Sequence, residues 1–330
     1  MTTLVCPPRL KVDMPDGLIG LCGAALAADD NVLLDARTLE FVDPFGMAML
    51  GATFYMLQQR GQSVLVSGLN DSVSSYLQRL DVFAGVELVN CAPARGSRHD
   101  RRDRLLELTR IDKRGEVETA AFRLAQALVG SIPGVDLEEP PDEMTCVNTA
   151  DRLIGPLNYA LSELLDNAVD HGRRHKREDA RVWVASQFYP SRGMIQFAVV
   201  DNGCGLLETL RNHPPLRDAK RKSHLDAILA ALQPWVSCNR ETGLRVDAAN
   251  EGIGLTTTSR IAEGTGGRLV IFSGDAVHDP VLGSRQLGDG LHWQGVALVL
   301  ICPRDRLLGV QVRDCLPQKV AQSSIKLRFE

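Results

Sequence analysis

Two periods of apolar residues organise the chain. Asn31–Ala36 (NVLLDA) is a short apolar run of strand length, and Asp43–Gly61 (DPFGMAMLGATFYMLQQRG) is an apolar stretch of helical length stopped by glycine. Gln62–Ser67 predicts a second strand, Asp71–Phe83 an amphipathic helix, and Val86–Val89 a third strand. Alternating strands and helices of this kind predict a sheet covered by helices on one face. Cys91–Arg104 (CAPARGSRHDRRDR) carries neither period and is rich in Arg, so it predicts a solvated connector. The domain boundary is expected there: a first domain over 1–95, a basic linker over 96–103, a second domain over 104–303 and a tail over 304–330.

Beyond the connector, Leu105–Asp112 predicts a strand and Glu116–Gly130 a helix, while the prolines of Pro133–Glu143 demand a loop. From Ala150 to His171 the residues Leu153, Leu157, Ala160, Leu161, Leu164, Leu165 and Ala168 recur at helical spacing, which predicts a long helix with one buried face. Ala180–Phe188 and Met194–Val200 predict strands paired around the turn YPSRG. Leu206–Asn250 is polar and includes one predicted helix, Leu225–Leu232. A helix over Thr256–Glu263 and strands over Arg268–Ser273 and Val296–Cys302 complete the pattern. The fold class that follows is mixed α/β.

Composition changes this picture little. The chain has 330 residues, 44% hydrophobic and 24% charged, which is ordinary for a folded protein of two domains. A formal net charge of -4 argues against nucleic acid as the main partner. The first residues lack a basic stretch followed by an apolar run, and no stretch is long enough to cross a bilayer, so a cytoplasmic protein without membrane contact is expected. The eight cysteines are scattered, with no CxxC pair and no zinc-ligand spacing, and are expected to be reduced thiols.

Three short segments carry candidate chemistry. On the long helix, Glu163 and Asn167 are four residues apart and Asp170 lies one further turn along, so they share a side. A carboxamide oxygen there can ligate Mg and a carboxylate can orient or deprotonate a nucleophile; a solvated helix face has the same pattern. In VVDNGCGL, Asp201 ends a strand and Gly203 and Gly205 follow, where an acid could accept a hydrogen bond from an exocyclic amine. A strand-ending turn fits equally. In NEGIGL, Gly252 and Gly254 flank Ile253 and precede Leu255 directly before a helix, a backbone arrangement suited to phosphate. A plain glycine cap is the alternative, and the spacing matches neither the Walker loop nor GxGxxG.

In this order the three segments resemble the N-box and the two glycine boxes of the GHKL (Bergerat-fold) ATPases, over about Arg104–Pro303. ELLDNAVDHG (Glu163–Gly172) is especially similar to the anti-sigma-factor serine kinases. The resemblance implies a two-layer α/β sandwich binding ATP and Mg, with Glu163 as catalytic base and Asn167 as Mg ligand. It further implies Asp170 in the nucleotide site, Asp201 reading adenine, Gly203 and Gly205 lining the base, and Gly252, Ile253, Gly254 and Leu255 meeting the phosphates. QGVALVLICP departs from the family pattern by placing Val296 where a Thr near the adenine is common, and Leu206–Asn250 is longer than the anti-sigma kinases' lid. Arg217, Lys220, Arg221, Lys222, Arg240 and Arg245 lie in that segment, where one could close on phosphates.

LLDARTLEFVDPFGMAML (Leu33–Leu50) resembles a STAS domain, as in anti-sigma-factor antagonists, but Phe45 stands where that family carries a phosphorylatable Ser or Thr. A docking module for a protein partner is the expectation, rather than a phosphorylated switch. His99 lacks the flanking pattern of a phosphoacceptor histidine, and RRHKR (Arg173–Arg177) reads as a solvated loop. Three functions compete: a partner-switching ATP-binding regulator, possessing Ser/Thr kinase activity in its enzymatic version; a slow ATPase with a clamp-like lid cycle; and a non-catalytic ATP-sensing scaffold. Oligomeric state, a homodimer included, is left open by the sequence.

Overall fold

The computed structural model describes residues 1–93, 104–173, 177–212, 216, 222–234, 236, 254–310 and 312–315. The linker 96–103 with His99, Gly252 and Ile253, the lid cations Arg217, Lys220, Arg221, Arg240 and Arg245, and most of the tail lie outside these residues.

The chain begins with two elements whose pattern is too short or too uniformly apolar to separate by period: β1 (Thr2–Val5) and α1 (Pro15–Leu26). The short strand β2 (Arg9–Leu10) pairs with β4 (Phe41–Val42). Then come β3 (Val32–Asp35), α2 (Pro44–Gln59), β5 (Val64–Ser67), α3 (Asp71–Arg79) and β6 (Glu87–Val89). Strands β1, β3, β5 and β6 lie in that order as a parallel sheet. In β3 and β5, Val32, Leu34, Val64 and Val66 are buried while Leu33, Asp35, Leu65 and Ser67 are half-exposed, so the helices cover one face.

The second unit contains β7 (Leu105–Ile111), α4 (Val117–Gly130), the long α5 (Thr149–Gly172), β8 (Val182–Tyr189) and β9 (Met194–Asp201). Strands β8 and β9 form the expected hairpin, closed by a 3-10 turn over Pro190–Arg192 and by Gly193 at φ 59°. After it come α6 (Gly205–Leu210), α7 (His224–Ala231), α8 (Gly254–Gly264), β10 (Arg268–Gly274), β11 (Ala276–His278), β12 (Arg285–Gln286) and β13 (Trp293–Pro303). Two short helices, α9 (Arg304–Leu307) and α10 (Val312–Cys315), follow. Helix α6 occupies the start of the segment read from sequence as polar with a single helix; six residues are too few to display a period. Seven strands form one antiparallel sheet among the described residues, in the order β12-β11-β10-β13-β9-β8-β7.

Helices α4, α5 and α8 cover one face of this sheet through a core that includes Leu161, Leu165, Val199, Ile271 and Leu298. The opposite face is also covered. Ala198, Val200, Val270, Phe272, Ala297 and Val299 belong to one apolar cluster with Leu18, Phe45, Met49 and Leu57 of the first unit. The molecule is thus layered as sheet, helices, sheet, helices, with α2 against β8 and β9. Phe45 is fully buried and stacks on Phe272, ring centres 4.7 Å apart and planes 11° from parallel. At Gly51 an added Cβ would stand 2.7 Å from Leu108 and 3.1 Å from Trp183, so glycine lets α2 approach the sheet at contact distance.

Asp43 caps α2 and anchors it to the sheet. Its carboxylate accepts from the backbone N–H groups of Gly46 and Val12, at 2.9 Å each, and from Gln196 Nε2 of β9 at 2.8 Å. Burial pushes its pKa up to about 6 against the pull of these donors. At the rim of the same contact Arg268 bridges Asp13 of the first unit and Asp279 of the second.

Candidate nucleotide-binding site

The inner face of the sheet carries a mostly apolar cavity, with about 790 Å³ of atom-free space counting its open mouth. Leu164, Asn167 and Ala168 line it from α5, Val199 and Asp201 from β9, and Val296 and Leu298 from β13. Helix α6 closes a side with Gly205, Leu206, Thr209 and Leu210, and Ala231 and Leu255 approach from α7 and α8. Such a pocket, largely apolar with a few polar groups aimed inward, suits a flat heteroaromatic ligand.

Asn167 and Asp201 therefore meet across one cavity, although α5 and β9 are separate elements. The Asn167 Oδ1 atom is buried and accepts no hydrogen bond among the described residues. An orphaned carbonyl oxygen in a cavity wall costs free energy unless something else fills its valence, and a hard cation does this well. Asp201 is 4% exposed, and burial pushes its pKa up to about 7, with the Gly203 and Val296 backbone N–H groups acting in the opposite direction. Gly203 N donates to Asp201 Oδ1 at 2.8 Å.

The glycines set the close approaches that build the site. At Gly203 an added Cβ would overlap the Gly172 Cα, so the end of α5 touches the turn after β9. Gly205 starts α6 at φ 74°, in the left-handed region that glycine tolerates. At Gly254 an added Cβ would come within 2.7 Å of the Leu164 nitrogen and 2.9 Å of the Glu163 carbonyl carbon. The amino end of α8 is thereby pressed against α5 at Glu163, which is 8% exposed. Free N–H groups at a helix start next to a buried carboxylate are a suitable setting for a phosphate and a proton acceptor. Leu255 lines the cavity.

Asp170 lies elsewhere. Its carboxylate pairs with Arg114 at 3.5 Å, and Arg114 also reaches Asp166 at 3.3 Å, so this part of the stripe faces the 3-10 turn before α4 rather than the cavity wall. Lys222 donates to the Arg211 carbonyl. Several contributors are silent in the sequence. Gly172 has only its place at the end of ELLDNAVDHG to mark it, and Leu206, Thr209 and Leu210 belong to a helix too short to read. Trp293 donates to the Asp201 carbonyl at 2.9 Å from a buried position, a role visible only in three dimensions.

The fold is an α/β sandwich with a mostly apolar cavity between its sheet and helices. Residues 154–290 match the family model described as histidine kinase-, DNA gyrase B-, and HSP90-like ATPase, which supports an ATP-binding domain of GHKL type in this part of the chain. No curated protein and no solved structure gives a significant match. No helix among the described residues is long and apolar enough to cross a membrane, and their His, Cys, Asp and Glu side chains form no metal-binding group of three.

Proposed function

We propose that the chain is a regulatory Mg-ATP-binding protein of partner-switching type that transfers the terminal phosphate to a Ser or Thr of another protein. The observation that carries it is the convergence of the Asn167 Oδ1, unpartnered among the described residues, the buried Asp201 and the amino end of α8 around one apolar cavity. Adenine would lie between Val199, Leu298 and α6, its exocyclic amine donating to Asp201. The triphosphate would point to the start of α8. Asn167 would hold Mg, which supplies charge neutralisation at the phosphates when bound. Glu163, beside that helix start, would accept the proton of the attacking hydroxyl.

The first unit supports a STAS-like reading through its parallel sheet and the Asp43-capped α2, and we keep the division into 1–95 and 104–303 as part of this proposal. Because Phe45 is stacked beneath the second unit's sheet, a protein partner would dock on other surfaces of the first unit. A cytoplasmic location belongs to the same reading. Calorimetric titration with Mg-ATP and Mg-ADP tests it: binding by wild type, weakened about 30-fold or more in Asn167→Ala, is expected. Incubation with labelled ATP and extract then tests transfer; no labelled protein, with Glu163→Ala indistinguishable from wild type, removes the kinase.

One observation favours slow hydrolysis with a moving lid instead. Helices α6 and α7 share a small apolar cluster of their own with Leu216, made by Leu210, Ala227, Ala230 and Ala231. Phosphate release without a protein acceptor, abolished by Glu163→Ala, would select this reading.

A further inference from the structure

Strand β13 does not run straight past the cavity. Its register against β10 slips between Ser273, which pairs with Val296, and Gly274, which pairs with Trp293, leaving Gln294 and Gly295 in a bulge. Bulges re-aim side chains at the edge of functional sites. This one turns three consecutive residues onto the end of β9. Trp293 Nε1 donates to the Asp201 carbonyl, and Gln294 Nε2 donates to the Asn202 carbonyl at 2.7 Å. At Gly295 an added Cβ would overlap the Asp201 carbonyl oxygen and stand 2.6 Å from Oδ1, so only glycine fits. The bulge is itself tied down: Ser273 Oγ donates to the Gly295 carbonyl at 3.2 Å and accepts from Leu206 N at 3.0 Å. The same Gln294 amide also contacts Met56 Sδ of α2 at 3.3 Å.

The geometry points to Gln294 as a positioning residue for base recognition, holding the Asp201–Asn202 backbone so that the Asp201 carboxylate meets the base, and doing so from a seat against Met56 of the first unit. The inference rests on the proposed nucleotide site and adds to it a contribution from outside the matched domain: the first unit supports the base-reading acid from behind. Gln294 has no part in holding the phosphates, which are expected near the start of α8. Its loss should therefore be felt only by nucleotides whose base donates a hydrogen bond to Asp201.

The test compares ATP with ITP, which carries a carbonyl in place of the exocyclic amine, by calorimetry on the full chain. Wild type should favour ATP by about tenfold or more, because a carboxylate facing a carbonyl leaves both unpartnered. Gln294→Met, close in volume but without the amide, should lower ATP affinity about fivefold or more while leaving ITP affinity unchanged. Met56→Leu, which removes the sulfur contact and keeps the packing, should move the ATP/ITP ratio in the same direction by a smaller factor, and thermal unfolding verifies that both variants fold. An unchanged ratio in Gln294→Met, or equal loss of both nucleotides, overturns the inference while the nucleotide site stands. Failure of wild type to bind either nucleotide overturns both.

Discussion

On the outer face of the seven-stranded sheet Asp43 accepts from Gly46, Val12 and Gln196, and the ring of Phe45 beside it is closed off by Phe272. On the inner face Asp201 borders a cavity, and the Asn167 oxygen opposite it has no donor among the described residues. Both aspartates are buried, and burial raises both pKa values. What separates them is the completeness of their surroundings. The outer face is a finished interface, where polar groups serve the fold; the inner face leaves an acceptor open among the described residues, as the proposed nucleotide site requires. A strongly perturbed acid alone would not have told the two apart.

The largest expected effect tests the finished face. Phe45→Ala should cost about 3–5 kcal/mol of stability by opening a cavity under Phe272. Mg-ATP affinity of the protein that remains folded, below the unfolding midpoint, should stay within about threefold. A large affinity loss would show that the outer face is not merely structural.

Asn167→Ala should weaken Mg-ATP about 30-fold or more, which is about 2 kcal/mol, with no loss of thermal stability, since it removes a buried acceptor that has no donor among the described residues. A stability loss of the size seen for Phe45→Ala would place Asn167 in the structural class and weaken the contrast between the faces. Asp43→Asn should cost about 1–3 kcal/mol of stability, because an amide nitrogen would face donors from Val12 or Gly46. Denaturant titration measures this, and nucleotide binding should be unaltered.

The smallest effect is the pH dependence. Asp201 titrates at about 7 in the folded protein, above its ordinary value of 3.8, so the proton is bound more tightly in the folded state. Its contribution to stability is full below about pH 4 and is lost as pH rises through 7. Nucleotide binding should run the other way, since the ionised carboxylate is the better acceptor for an amine: Mg-ATP affinity is expected to rise severalfold between about pH 6 and 8. Asp201→Asn should flatten both dependences, followed by calorimetry and thermal unfolding across that range.

The strand and helix alternation of the first unit, the long α5 and the hairpin of β8 and β9 are legible in the sequence, because each is long enough to show its period. Elements β1, α1, α6, β11 and β12 are not, being short or uniformly apolar. The two-sided burial of the large sheet did leave a trace. Ala198, Val199 and Val200 are apolar at consecutive positions, and so are Ala297, Leu298 and Val299, whereas a sheet facing water on one side alternates with polar residues. Of the candidate site, Asn167, Asp201, Gly205 and Leu255 line the cavity and Gly254 sets the packing beside Glu163, while Asp170 turns to Arg114, a partner from a distant 3-10 turn that helical spacing cannot foresee.

By itself the sequence determined the local features: which segments coil or extend, where glycine permits a sharp turn, and which polar residues share a helix face. These depend on residues a few positions apart. The tertiary structure alone decided that Gln196 would complete the shell of Asp43, 153 positions away, and that Met56 would stand behind the strand that grips Asp201. Such contacts arise when the helices of one sheet must bury their apolar backs and the uncovered face of another is the surface that takes them.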